Sequence, residues 1–231
     1  CEALGRQMDA GLRANLLSAA KREVVSGSAK NAAKLLLNCL EMENRPAAEN
    51  PAGKELRFSF VMIVLNGMPF IEYSLKSVYD FAHEIIIVEG AVENCMFAAG
   101  PDGSSTDGTV EFIKSFPDPR KKVRLIQGKW PEKCEMQNEA LKYVTGDYVW
   151  LIDSDEVYKR QDLEKVREIL NDDSSITQVN FIPDNFWKGF DYIFVSSKFF
   201  EAWCHYRRLF KYVPGAVFTT HRPPTMTWPL C

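Results

Sequence analysis

No apolar run in this chain reaches the roughly 18 residues that a membrane-spanning helix needs, and no leader pattern stands at its start. A basic excess is also missing. There are 28 Lys and Arg against 31 Asp and Glu, a formal net charge of −3. That balance gives no bulk attraction to nucleic acid and leaves only a local basic pocket for a polyanion. Neither GxGxxG nor GxxxxGK(S/T) occurs, which counts against a dinucleotide oxidoreductase and a phosphate-loop hydrolase. The six cysteines, at 1, 39, 95, 134, 204 and 231, form no CxxC or finger-like spacing. Such wide spacing, in a chain with this much potential core, favours mostly free thiols. Internal repeats and low-complexity segments are absent. The first residue is Cys rather than Met, so the expectation is a fragment, a processed form or part of a longer multidomain protein.

What is present fits a globular chain: 231 residues, 46% hydrophobic and 26% charged. Residues 1–54 read as a helical extension and linker. Leu4, Met8, Leu12 and Leu16 form one helical stripe; Ala32, Leu35, Leu36, Cys39 and Leu40 form a second. From residue 55 the pattern is α/β. Strands are expected at 58–65, 84–89, 122–126 and 148–152, each a short apolar run. Helices fall between them. One follows Pro69, with Phe70, Tyr73, Ser74, Ser77, Val78 and Phe81 at helical spacing; others are expected at 110–116, 132–144 and 161–170. Strands joined by helices argue a Rossmann-like, mostly parallel central sheet covered by helices. Later strands, expected at 176–182, 190–195, 206–210 and 216–220, read as antiparallel additions.

The chain is organised around Tyr148-Val149-Trp150-Leu151-Ile152-Asp153-Ser154-Asp155-Glu156, an apolar run that ends in three carboxylates. Burying a strand that runs into acids is unfavourable unless a cation meets them. Asp153 and Asp155 therefore suit a divalent ion, Mg2+ or Mn2+ by their hard oxygen ligands. The alternative is an acidic helix start with Asp153 or Ser154 as the cap. Polar residues close two further strands, Asn66 and Glu89. Ligands of open α/β sheets bind beyond the carboxyl ends of strands, so the three ends together suggest a pocket. Glu89 could accept from a base N–H or a ribose hydroxyl; a cap or an ion pair is its plainer reading.

Several segments carry a family likeness: Glu84-Ile85-Ile86-Ile87-Val88-Glu89, Asp102-Gly103-Ser104-Ser105-Thr106-Asp107-Gly108-Thr109, Gln137-Asn138-Glu139-Ala140-Leu141, Gly146-Asp147-Tyr148 and Leu151-Ile152-Asp153-Ser154-Asp155-Glu156. In order and spacing they resemble the nucleotide-sugar-binding core of the inverting glycosyltransferases of family two, fold type A. The resemblance covers 58–156. It implies a metal-dependent transfer of a sugar from a nucleoside diphosphate, UDP by default, to an acceptor hydroxyl, with inversion. It puts Glu89 on the nucleobase, Asp153 and Asp155 on the metal as a DXD motif, and Lys133 and Asn138 on the helix lining the donor. Asn66 joins them at the donor site. It further implies a donor half at 55–156 and an acceptor half at 157–231. One departure is an insertion after Glu89, where the family passes almost directly to its Gly-Ser-Thr-Asp-Gly loop.

On the acceptor side, Tyr206-Arg207-Arg208-Leu209-Phe210-Lys211 resembles the basic-aromatic stretch that precedes a closing histidine in some members. Arg207, Arg208 and Lys211 could then neutralise the diphosphate or an anionic acceptor, or be an ordinary solvated charge run. His221 could be a third metal ligand, or structural. An inverting transfer needs a carboxylate base; Asp184, Asp191 and Glu201 are candidates, with Asp184 preferred. Trp187, Phe190 and Trp203 could stack on a sugar or belong to the core. The competing readings are a nucleotidyltransferase acting on sugar phosphates and a non-catalytic nucleotide- or sugar-binding module. The expected location is the cytoplasm, with membrane association left to regions outside the chain or to the acceptor.

Overall fold

A computed structural model describes residues 55–186 and 206–229, which lie in one compact unit, Glu49–Cys231. The expected helices of residues 1–54 and the strand expected at 190–195 lie outside the described residues.

Six strands form one sheet: β1 (Phe58–Val64), β2 (Glu84–Glu89), β3 (Val123–Gln127), β4 (Tyr148–Leu151), β5 (Gln178–Phe181) and β6 (Tyr206–Lys211), in the order β3-β2-β1-β4-β6-β5. The first four in that order pair in parallel. β6 runs antiparallel to β4, and β5 antiparallel to β6. Helices α1 (Ile71–Val78), α2 (Thr109–Ser115), α3 (Lys133–Leu141) and α4 (Arg160–Asp172) follow β1, β2, β3 and β4 in turn. This is the α/β, mostly parallel, helix-covered sheet that the strand and helix pattern predicts. Among the described residues no helix is long and apolar enough to cross a membrane.

The near-continuous apolar strands are explained by cover on both faces. Alternate residues point to opposite sides. Phe58, Phe60, Met62, Ile85, Ile87 and Trp150 meet Ile71 and Leu75 of α1 and Leu163 of α4. Val61, Ile86, Val149 and Leu151 meet Met136, Ala140 and Leu141 of α3. Trp150 is fully buried, stacked on Phe60 at 5.1 Å between ring centroids.

Three expectations change. On α1 the core residues are Ile71, Ser74, Leu75 and Val78, while Phe70 and Tyr73 are 58% and 61% exposed. The aromatic stripe was a plausible helical face, but packing chose the smaller aliphatics one position on. The insertion after Glu89 is not a plain loop: Glu93–Ala98 is a 3-10 turn, and Ala91 N–H donates to Gly103 O at 2.8 Å. The last expected strand is half of a hairpin, β7 (Val217–His221) with β8 (Pro224–Thr227), closed through Arg222-Pro223.

Gly90 is required where these ends meet. Its φ is +136°, and a Cβ there would lie 2.1 Å from the Gly128 carbonyl oxygen. Its N–H reaches Val64 O at 3.0 Å, while Gly128 N–H reaches Glu89 O at 3.2 Å. A side chain at Gly90 would force apart the carboxyl ends of β1, β2 and β3.

Candidate active site

The carboxyl ends of β1, β2, β3 and β4 share one edge of the sheet, since these strands are parallel. The antiparallel register of β6 brings its amino end, and the carboxyl end of β5, to the same edge. The opposite edge also carries acids, but they tie loops down. Glu84 accepts from Ser59 Oγ at 2.6 Å and Thr145 N–H at 2.6 Å, and Asp147 accepts from Arg57 N–H at 2.9 Å.

At the carboxyl edge the loop 102–109 is stapled to two strand ends. Asn66, with a left-handed φ of 55°, accepts from Thr106 N–H at 2.8 Å and donates through Nδ2 to Ala98 O at 2.7 Å. Its own N–H donates to Ser105 Oγ at 2.8 Å. Glu89 is fully buried. Its Oε1 accepts from Ser105 N–H at 2.6 Å and its Oε2 from Gln127 Nε2 at 3.0 Å. Asp107 accepts from Met68 N–H at 2.8 Å and from Thr109 N–H at 3.0 Å. Burial works against the Asp107 charge, but these bonds and the Thr109 hydroxyl hold its carboxyl below the usual range. The inserted turn thus returns the loop to Glu89 and Asn66.

The acidic turn after β4 is held from below. Helix α4 starts at Arg160, with Lys159 at its cap position, so Asp153 and Ser154 do not cap it. Instead Glu156 closes the turn, accepting from Asp153 N–H at 3.1 Å. Arg208 Nη2 donates to Asp153 Oδ2 at 2.5 Å and also to Glu156 Oε1. The Arg208 side chain is 7% exposed and that of Asp153 41%. Burial opposes the Arg208 charge, but Asp153 and Glu156 hold its pKa above the ordinary value. Burial pushes the Glu156 carboxyl up, against the pull of Arg208.

Asp155 is exposed. His221 lines one cavity with Asp153 and Arg208. Its Nδ1 is buried without a protein partner. Burial, then Lys133 and Arg222, push the imidazole down to about 4, so it is neutral and able to act as a ligand near pH 7. Among the described residues no three His, Cys, Asp or Glu side chains converge as a ready metal cage. The donors still suit a cation: Asp153 and His221 flank one cavity, and the second Asp153 oxygen and the exposed Asp155 remain available. The expected trio is not assembled: Asp153 and His221 line one cavity, and Asp155 stands exposed on the turn.

The remaining sequence-based residues divide. Lys133 begins α3 and acts on His221 electrostatically. Arg207 reaches Thr225 Oγ1 at 3.4 Å. Asp184 is exposed, three residues beyond β5 at the site edge. One expectation, that for Lys211, is corrected. Lys211 pairs with Tyr148 at the far end of β4 and donates to Ser174 O at 2.7 Å, because β6 runs away from the site. Asn138 holds the Phe218 backbone, donating to its O at 3.0 Å and accepting from its N–H at 2.7 Å. That places Asn138 as the tie between α3 and the strand that carries His221. Asp191 and Glu201, with Trp187, Phe190 and Trp203, lie outside the described residues. Sequence reasoning gave no individual role to Gln127, Gln137 or Glu156; the Gln127–Glu89 and Glu156–Arg208 contacts join residues distant in the chain. Cys95 and Cys134 are free thiols.

A family model described as glycosyl transferase family 2 matches residues 99–223, more than half of the chain. No curated protein matches the chain significantly. Among solved structures, TarS 1-349 from S. aureus is similar at 22% identity and a TM-score of 0.38, over 50% of this chain and 32% of that one. A mannosyltransferase from Pyrobaculum calidifontis, solved with GDP-Man and Mn2+, is similar at 20% identity and a TM-score of 0.43, over 71% of this chain and 46% of that one. The chain thus spans less than half the length of either.

Proposed function

The chain belongs to glycosyl transferase family 2, and from that premise we propose that it moves a sugar from a nucleoside diphosphate, UDP in the first instance, to an acceptor hydroxyl with inversion. The observation that carries the reading is the polar edge where Asn66, Glu89 and the Asp153-Ser154-Asp155 turn end neighbouring parallel strands. In this reading residues 55–156 take the donor and 157–231 the acceptor. Asp153 and Asp155, with His221 beside them, would hold Mg2+ or Mn2+, which when bound neutralises the leaving diphosphate. Lys133 and Arg207 add positive charge to the same edge. Arg208 keeps the turn in place by pairing Asp153 with Glu156. Buried Glu89 acts on the donor through the loop it holds, with Ser105 and Thr106 facing the nucleotide. Asp184 takes the proton from the acceptor hydroxyl, the step an inverting displacement needs.

The test is release of nucleoside diphosphate from a panel of UDP- and GDP-sugars. Release from at least one sugar nucleotide, abolished by EDTA and restored by Mn2+, is the expected result. No release from any of them, with Mg2+ or Mn2+ and a range of hydroxyl acceptors, defeats the proposal and favours a binding module.

A further inference from the structure

We propose that Tyr206 is the platform of a sugar subsite: its ring stacks on the apolar face of the acceptor, which is therefore a saccharide and not an open-chain alcohol. The residue stands beside a β-bulge. Across β5 and β6, Val179 pairs with Leu209 and Asn180 with Arg207, so Arg208 is the extra residue between them. A bulge bends its strand and re-aims the side chains around it, and bulges gather next to active sites. At this one the Arg208 guanidinium lies over the Tyr206 ring, with Cζ 5.3 Å from the ring centroid. The same guanidinium holds Asp153 and Glu156. Arg208 is 6% exposed and Tyr206 39%. One buried cation thus ties the acidic turn to an aromatic ring that still meets solvent. Single exposed aromatics are ordinary on a protein surface; a ring fixed in this way, at the edge of the sheet where ligands bind, is not.

The surroundings of the ring select the chemistry. Phe181, the partner of Tyr206, ends β5; the next residue, Ile182, is 62% exposed, and Asp184 is exposed two positions further on. An apolar surface and a carboxylate therefore share one corner of the edge. A sugar ring matches both, since it has C–H groups on a face and hydroxyls around its rim. The electron-rich face of Tyr206 takes the C–H groups, and a few placed polar groups fix the orientation. An open-chain alcohol would use the carboxylate and leave the ring uncovered. The strand order decides which sugar this is. β4, with its acidic turn, lies between β1 and β2, which end in Asn66 and Glu89, and β6, which begins with Tyr206. Tyr206 is thus on the far side of the acidic turn from the donor strands. The assignment to the acceptor rests on the glycosyltransferase reading; the platform itself does not.

The test is saturation-transfer NMR on the native chain with methyl glucoside, methyl galactoside and methyl mannoside, glycerol serving as the open-chain comparison. Aromatic protein protons are irradiated. At least one glycoside is expected to take up saturation, mostly on the axial protons of one ring face, and glycerol much less. Tyr206→Phe keeps that signal. Tyr206→Leu fills the space without a π face and weakens the glycoside about tenfold, the scale of one lost ring contact; Tyr206→Thr takes its place if the leucine variant does not fold. No saturation of any glycoside, equal saturation of glycerol, or a signal that survives loss of the ring overturns the proposal. Calorimetry with UDP and Mn2+ on the native chain decides the donor reading separately: ring stacking without UDP binding upholds the platform and counts against the donor reading alone.

Discussion

Arg208→Met is expected to destabilise the fold by about 3–5 kcal/mol, the range for breaking one side of a buried ion pair. The guanidinium is 7% exposed and bridges Asp153 and Glu156. Methionine fills much of the volume but supplies no charge. Two carboxylates would then face each other below the sheet edge, and burial already penalises Glu156. Urea denaturation at neutral pH measures the loss. A double variant, Arg208→Met with Glu156→Gln, should recover a clear part of it, since the amide removes one of the two facing charges. A single-variant loss below about 1 kcal/mol, the scale of an exposed pair, would show that Arg208 is a solvated side chain and not a clamp.

Glu89→Ala is expected to be nearly as damaging, about 3 kcal/mol, while Glu89→Gln is expected to be mild. Alanine leaves the Ser105 N–H and the Gln127 amide without their buried acceptor, and bonds to a charged group are worth about 1.5–3 kcal/mol each. Glutamine can keep its oxygen on Ser105, and a flip of the Gln127 amide then accepts the new NH2 group. The same comparison should appear in nucleotide affinity, because loop 102–109 is stapled to the strand ends through this carboxylate. Equal losses for alanine and glutamine would mean that the negative charge itself is needed, as direct contact with a nucleobase would require.

The sequence showed the sheet clearly because its strands are buried on both faces and read as unbroken apolar runs. The acidic turn was equally legible, since carboxylates directly after a buried strand have few structural explanations. Burial within a helix was less so. Phe70 and Tyr73 have the spacing of a core face, yet Ile71 and Leu75 fill the space. The basic run 207–211 could not be resolved by composition. Arg208 meets the acids while Lys211 sits at the other end of β4, and only the antiparallel register of β6 separates them. Asn138 lies on the helix expected for it; its amide grips the backbone of Phe218, a residue on a hairpin whose placement no local pattern predicts. Gln127 and the Arg208 contact of Glu156 escaped for the same reason: these partners are brought close only by the fold.

The central claim is that the edge holding Asp153 and Asp155 binds a nucleoside diphosphate with a divalent cation. Calorimetric titration of UDP and of GDP, each with and without Mn2+, on the native chain and on Asp155→Ala, tests it most directly. The account predicts Mn2+-dependent binding of one nucleotide to the native chain, and a loss of at least tenfold, about 1.4 kcal/mol, in the variant. Absence of binding by either nucleotide under every condition, or binding that is unchanged by Mn2+ and by Asp155→Ala, would contradict it.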